Sequence, residues 1–255
     1  MGALEQGLRA VRERGSKAFV PYVTGGFPGV DAALLRELAA SGADAVEVGI
    51  PYSDPIMDGG VIQQASAAAL GAGATPASVL ATIAESDLAV PIAVMTYANP
   101  VLRRGEEAFL DDLISAGVSG AIVPDLPVDE ADGWCAAAHA RGIDAVLLAA
   151  PGAGPERLAR IGAASRGFVY CVATYGVTGA RAGLAGTARE VVEALRPSTD
   201  LPLLVGVGIG TPEAAREACS FADGVVVGSA LMHALQAEGP AGLLGLAESF
   251  RRAIA

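Results

Sequence analysis

The stretch Val46-Glu47-Val48-Gly49-Ile50-Pro51-Tyr52-Ser53-Asp54-Pro55-Ile56-Met57-Asp58-Gly59-Gly60 holds the carboxylates whose types and spacing best suit proton chemistry. In an extended chain, Val46, Val48 and Ile50 fall on one face and Ala45, Glu47 and Gly49 on the other. With the valine face packed under helices, Glu47 points the opposite way, between two small residues. Burying an ionised carboxylate is costly, so such a group has a raised pKa and can serve as a general acid or base. On strand geometry alone, a structural Glu paired with a hidden Arg or Lys is the alternative. Asp54 and Asp58 flank Pro55 and run into a Gly-Gly pair, a composition that suits a shaped, mobile lid. Asp before Pro and Asp before Gly are also ordinary turn pairs, so both aspartates read equally as turn residues.

A second group of residues gathers late in the chain. Gly176-Val177-Thr178-Gly179, Gly206-Val207-Gly208-Ile209-Gly210 and Gly228-Ser229 each follow or end a β-type run, and Ser229 opens a helix. Glycine lets backbone N–H groups approach a phosphate, and a helix N-terminus adds its positive dipole end. Three such turns at successive strand ends point to a small, local phosphate site. His139 and His233 read as helix-face residues, Trp134 as packing, and Asp125 as a turn, orienting or site residue. No nucleophile stands beside a base, and no nucleotide P-loop is present.

These residues need a scaffold that brings distant strand ends together. Eight β-type runs recur at intervals of about 20 to 30 residues: Phe19 to Thr24, Ala45 to Ile50, Pro91 to Tyr97, Gly120 to Asp125, Asp144 to Ala150, Gly167 to Ala173, Pro202 to Gly208 and Gly224 to Ser229. Ala-rich helical patterns lie between them, including Asp31 to Ser41, Glu106 to Ala116, Asp129 to Arg141 and Thr211 to Ala218. Alternating β and α runs of this number predict an α/β fold, a single (β/α)8 TIM barrel filling residues 1–255. Leu4 to Arg14 reads as an extra N-terminal helix over the barrel bottom. An open doubly wound sheet would instead carry its glycine-rich loop after the first strand.

Composition narrows the function. With 52% hydrophobic but only 5% aromatic residues, the core is built from Ala, Val, Leu and Ile. A net charge of −11 argues against a nucleic-acid surface. Cys135, Cys171 and Cys219 lack metal-ligand spacing and suggest no disulfide framework, which suits a reduced, cytoplasmic protein. The charged first 14 residues have no apolar leader core, and no apolar run reaches membrane-span length.

Together these stretches closely resemble the tryptophan synthase alpha-subunit family. The resemblance runs from Phe19-Val20-Pro21-Tyr22-Val23-Thr24-Gly25-Gly26-Phe27-Pro28 through Val46 to Asp58, Tyr97-Ala98-Asn99-Pro100, Pro124-Asp125-Leu126-Pro127 and Tyr170. It continues through Gly176-Val177-Thr178-Gly179 and Gly206-Val207-Gly208-Ile209 to Gly228-Ser229. It implies a metal-independent lyase that splits indole-3-glycerol phosphate into indole and glyceraldehyde 3-phosphate, with Glu47 as acid/base and Asp58 holding the indole N–H. It further implies Tyr170 near Glu47, Thr178 as a lid residue closing onto Asp58, and Gly179, Gly208, Gly228 and Ser229 around phosphate. Tyr22, Met95, Tyr97 and Ile209 would line the indole pocket. No cofactor is implied for this chain; pyridoxal phosphate would belong to a beta-subunit partner. Gly60, where a proline often follows Asp-Gly, and Ala173-Thr174-Tyr175, in place of a Ser-Arg-containing run, depart from the pattern in the two loops that would close.

Two other roles share the fold: a stand-alone lyase releasing free indole, and an idle barrel that activates a beta partner. The intact Glu47 and Asp58 argue against the idle barrel. A metal-dependent sugar-phosphate epimerase would want His ligands at the barrel mouth, and the chain has only two His.

Overall fold

The computed structural model describes residues 1–172 and 184–255, leaving the side chains of 184 and 185 aside. The chain begins with α1 (Ala3–Glu13), β1 (Ala18–Thr24), α2 (Ala32–Ala40), β2 (Val46–Gly49), α3 (Gly60–Gly71), α4 (Pro76–Ser86), β3 (Ile92–Met95), α5 (Ala98–Arg104), α6 (Glu106–Ser115) and β4 (Gly120–Ile122). It continues with α7 (Asp132–Ala140), β5 (Asp144–Val146), β6 (Leu148–Ala149), α8 (Pro155–Ala164), β7 (Val169–Val172), α9 (Leu184–Leu195), β8 (Leu203–Gly206), α10 (Pro212–Ala218), β9 (Gly224–Val227) and α11 (Ser229–Ile254).

All pairings are parallel, in the order β5-β4-β3-β2-β1-β9-β8-β7-β6. β5 and β6 are the two halves of the fifth expected run, separated only by Leu147. The first half pairs with β4 and the second with β7, so this break closes the eight-run sheet into a TIM barrel. Most of the expected strands extend past the observed ones at their C-terminal ends, because those residues leave the ladder to build the mouth. Ser229, for example, is the first residue of α11. α7 starts three residues after Asp129. Residues 127–131 form turns instead, with Glu130 N–H donating to Pro127 O and Ala131 N–H to Val128 O, while Asp129 pairs with Arg157 and Arg160.

Two apolar layers follow from the period-two alternation. Val46, Val48 and Ile50 pack outward with Leu35, Leu38 and Ile83 from the helices. Ala45, Ala93, Ile122, Phe168, Leu204 and Val226 face inward and meet Leu4, Leu8 and Val11 of α1. The expected N-terminal helix therefore plugs the barrel. Leu4 demands glycine opposite it, since a Cβ on Gly120 would come within 2.4 Å of its Cδ2. Among the described residues, no single helix is long and apolar enough to cross a membrane.

Candidate active site

Glu47 sits on β2 in register with Tyr22 of β1 and Ala93 of β3. Its side chain is on the inward face and 1% exposed, and its Oε2 has no hydrogen-bond partner among the described residues. Among the described residues, no Arg or Lys forms an ion pair with Glu47. Burial, with a smaller contribution from the charge of Asp58, raises the Glu47 pKa to about 8.

Glycines make room for two tyrosines beside it. A Cβ on Gly49 would meet the Tyr22 hydroxyl at 2.1 Å, and one on Gly206 would meet the Tyr170 hydroxyl at 2.2 Å. Tyr22 also donates to or accepts from Thr24 Oγ1 at 3.3 Å. Burial drives both phenols well above their ordinary range, and Glu47 and Asp58 add to the effect. Glu47, Asp58, Tyr22 and Tyr170 therefore share one electrostatic neighbourhood.

Asp58 reaches this group from the β2–α3 loop. Its Oδ2 accepts the Tyr97 hydroxyl at 3.1 Å, and the same Tyr97 oxygen accepts the Met57 N–H at 3.0 Å. Burial raises the Asp58 pKa to about 6, while the Tyr97 hydrogen bond pulls it down. Tyr97 is itself shifted upward by burial and by the Asp58 charge. The two aspartates now separate. Asp54 is exposed, its side chain accepting from the neighbouring Ser53 hydroxyl as a turn residue does, whereas Asp58 turns into the mouth.

Met95 is half-buried against both apolar layers, and Ile209 packs partly buried against the outer one. Gly208 and Gly228 follow β8 and β9, which are hydrogen-bonded neighbours, and Gly228 lies under the Tyr22 ring. Ser229 is exposed at the start of α11. Val207 takes φ +61 and Gly208 φ +98, so a β-branched residue is held in the left-handed region beside the expected phosphate turn, at a cost on the order of 1–3 kcal/mol. Thr178 and Gly179, with their whole Gly-Val-Thr-Gly turn, lie outside the described residues.

Asp125 proves to be an orienting residue, accepting the Ala98 N–H that opens α5 at 2.9 Å. Sequence reasoning left Tyr52 and Asn99 out of the catalytic site. Their rings and amide join the Asp58 loop to α5, with Tyr52 stacked on Tyr97 at 5.1 Å and Asn99 Nδ2 donating to the Tyr52 hydroxyl at 2.8 Å. Only the Tyr97-Ala98-Asn99-Pro100 run hinted at this. Among the described residues, no cluster of His, Cys, Asp and Glu could hold a metal ion.

A parallel barrel with Glu47, Tyr22 and Tyr170 on its strands and Asp58 and Tyr97 in the segments that follow them has the architecture of a TIM-barrel enzyme, whose chemistry lies at the C-terminal face. The model of the family described as tryptophan synthase alpha chain matches residues 8–247. A tryptophan synthase alpha chain from Synechococcus elongatus is 42% identical, with 100% of this chain and 97% of that protein covered. The one from Thermobifida fusca is 47% identical over 90% of this chain and 87% of its own length. A solved structure of Mycobacterium tuberculosis tryptophan synthase superposes with a TM-score of 0.92 at 42% identity, covering 99% of this chain and 98% of that one. The chain belongs to the tryptophan synthase alpha chain family.

Proposed function

We propose that this chain cleaves indole-3-glycerol phosphate to indole and glyceraldehyde 3-phosphate in tryptophan biosynthesis, as one catalytic domain spanning residues 1–255. The observation that carries this reading is the buried Glu47 carboxyl beside Asp58, its Oε2 without a partner among the described residues, in a chain of this family. The two carboxyls have been pushed to different pKa values, about 8 and about 6, so near neutral pH one holds its proton and the other carries charge.

The division suits a retro-aldol reaction. Glu47 donates its proton to indole C3, and the ring becomes a cation with its charge at N1. Asp58 accepts the N1–H hydrogen bond and balances that charge. Glu47, now ionised, takes the proton of the hydroxyl on the carbon bonded to C3. The carbon–carbon bond breaks, its electron pair restores the C2–C3 double bond of indole, and the hydroxyl carbon becomes the aldehyde. Glu47 ends as it began, protonated. Only protons and one bonding pair move, so the reaction calls for no metal or organic cofactor from this chain.

Tyr22, Met95, Tyr97 and Ile209 would line the indole, with Tyr170 near Glu47. Gly179, Gly208, Gly228 and Ser229 would take the phosphate, and Thr178 would close over Asp58 to exclude water. A beta subunit carrying pyridoxal phosphate would dock near Tyr52 to Met57 and Asn99 to Arg104. There Ile56, Met57 and Leu102 are 78%, 44% and 65% exposed, an apolar surface that supports docking. Both subunits would be cytoplasmic. A partner that binds the closed mouth better would raise activity by its preference for that form. The test is release of glyceraldehyde 3-phosphate from indole-3-glycerol phosphate with increasing beta subunit. We expect slow release alone and acceleration by the partner. Release that ignores the partner would mark a stand-alone lyase, and no release in either condition would remove the reading.

A further inference from the structure

We infer that Tyr97 is a positioning residue for Asp58, braced by Tyr52 and Asn99, so that the carboxylate is aimed from helix α5 and not only by its own loop. The inference rests on the cleavage reading for its purpose, and on geometry for its existence.

The loop from Ile50 to Gly59 is stitched internally by two backbone bonds, from Ile56 N–H to Asp54 O and from Asp58 N–H to Pro55 O. Gln63 of α3 adds a hydrogen bond to Asp58 O at 2.9 Å. All three act on backbone, and none fixes the rotation of the Asp58 side chain. The Tyr97 hydroxyl does. It donates to Asp58 Oδ2 while accepting the N–H of the preceding residue, so one oxygen locks the carboxylate and the backbone that bears it.

Tyr97 is itself well held. It is 2% exposed and directly precedes α5, whose first N–H is anchored on Asp125. The Tyr52 ring lies against it, and Asn99 of α5 holds the Tyr52 hydroxyl. The helix therefore grips the loop at two points, one of them the working carboxylate.

A phenol suits this position for an electrostatic reason. Lys or Arg would fix Asp58 equally well but would neutralise the charge needed at the indole nitrogen. A neutral donor orients the carboxylate and leaves its charge intact. Among the described residues, the titratable groups that feel the charge of Asp58 are Glu47, Tyr22, Tyr170 and Tyr97, and none of these is a cation.

The test uses the full chain labelled with carboxyl-13C aspartate, the Asp58 resonance being assigned by its loss in Asp58→Asn. Tyr97→Phe keeps the ring, the pocket wall and the stack, and removes only the hydroxyl. We expect its Asp58 titration midpoint to rise by about 0.5 or more in pH, because a bond favouring the charged form is gone. With indole-3-glycerol phosphate, kcat should fall on the order of tenfold while KM stays within about twofold. Asn99→Ala, at an exposed position that does not touch Asp58, should move the midpoint the same way by less. An unmoved midpoint in Tyr97→Phe overturns the proposal whatever happens to kcat, and an unmoved midpoint in Asn99→Ala overturns the brace. Because the titration needs no turnover, it stands or falls separately from the cleavage reading.

Discussion

At the closed end of the barrel, Glu5 accepts from Arg9 Nε at 2.8 Å and from the Gly167 N–H, while Asp144 accepts the N–H groups of Gly2 and Glu5 at 3.1 and 2.9 Å. At the open end, Glu47 is just as deeply buried, and its Oε2 has no partner among the described residues. The same interior thus treats its acids in two ways. Below, each carboxyl meets donors that fasten the α1 plug to its surroundings, although burial still raises the Asp144 pKa against the pull of its two N–H donors. Above, Glu47 Oε2 meets no donor among the described residues, and its pKa climbs to about 8. A buried polar atom without a partner costs about 1–3 kcal/mol, so the mouth is held together against its own preference by the rest of the barrel. Changes at the mouth should therefore remove chemistry and spare the fold, and changes at the plug should do the reverse.

Asp58→Asn should give the largest effect of the substitutions that probe this contrast. An amide can still hydrogen-bond but cannot balance the indole cation, so kcat should drop by about 10²–10³-fold. Thermal unfolding should hardly move; a large loss of stability with modest loss of turnover would reverse the assignment. Asp144→Ala tests the other end. It leaves two N–H groups at the start of α1 without acceptors, and chemical denaturation should show a loss of about 1–2 kcal/mol with turnover per folded molecule unchanged.

A third test of the contrast is a pH dependence. The folded-state pKa of Glu47, about 8, lies above its ordinary 4.5, so the folded chain keeps a proton that the unfolded chain releases. That contribution is complete below about 4.5 and is lost as pH climbs to about 8. Glu47→Gln has no such loss, so its stability should gain on wild type across that window and then run parallel. Equal pH profiles for the two proteins would mean that Glu47 is not desolvated as described.

The inward aim of Glu47 was legible because strand alternation is strict, and Val46, Val48 and Ile50 mark the helix side without ambiguity. The plug was legible for a similar reason, since Leu4, Leu8 and Val11 repeat at helical spacing. The surroundings of Asp58 were not. Its turn-like neighbours describe the loop correctly, yet its burial comes from Tyr97 on another strand end, a contact no local pattern encodes. Asp125 was open among three roles until the N–H it accepts was known. The break at Leu147 was hidden within a continuous apolar run, since both halves read as β and only pairing with β4 and β7 separates them. Val207 carries no left-handed signal at all; its conformation is imposed by the turn it occupies. The Gly-Val-Thr-Gly turn, the clearest of the late motifs, falls outside the described residues, so its part in the site stays a proposal.

The measurement that bears most directly on the division between the two ends is turnover of Glu47→Gln in a protein whose folding has been verified. Glutamine keeps the shape and removes the titrating group, so release of glyceraldehyde 3-phosphate should fall by about 10²-fold or more. Turnover within a few-fold of wild type would contradict the account, because the buried carboxyl at the mouth would then have no chemical task.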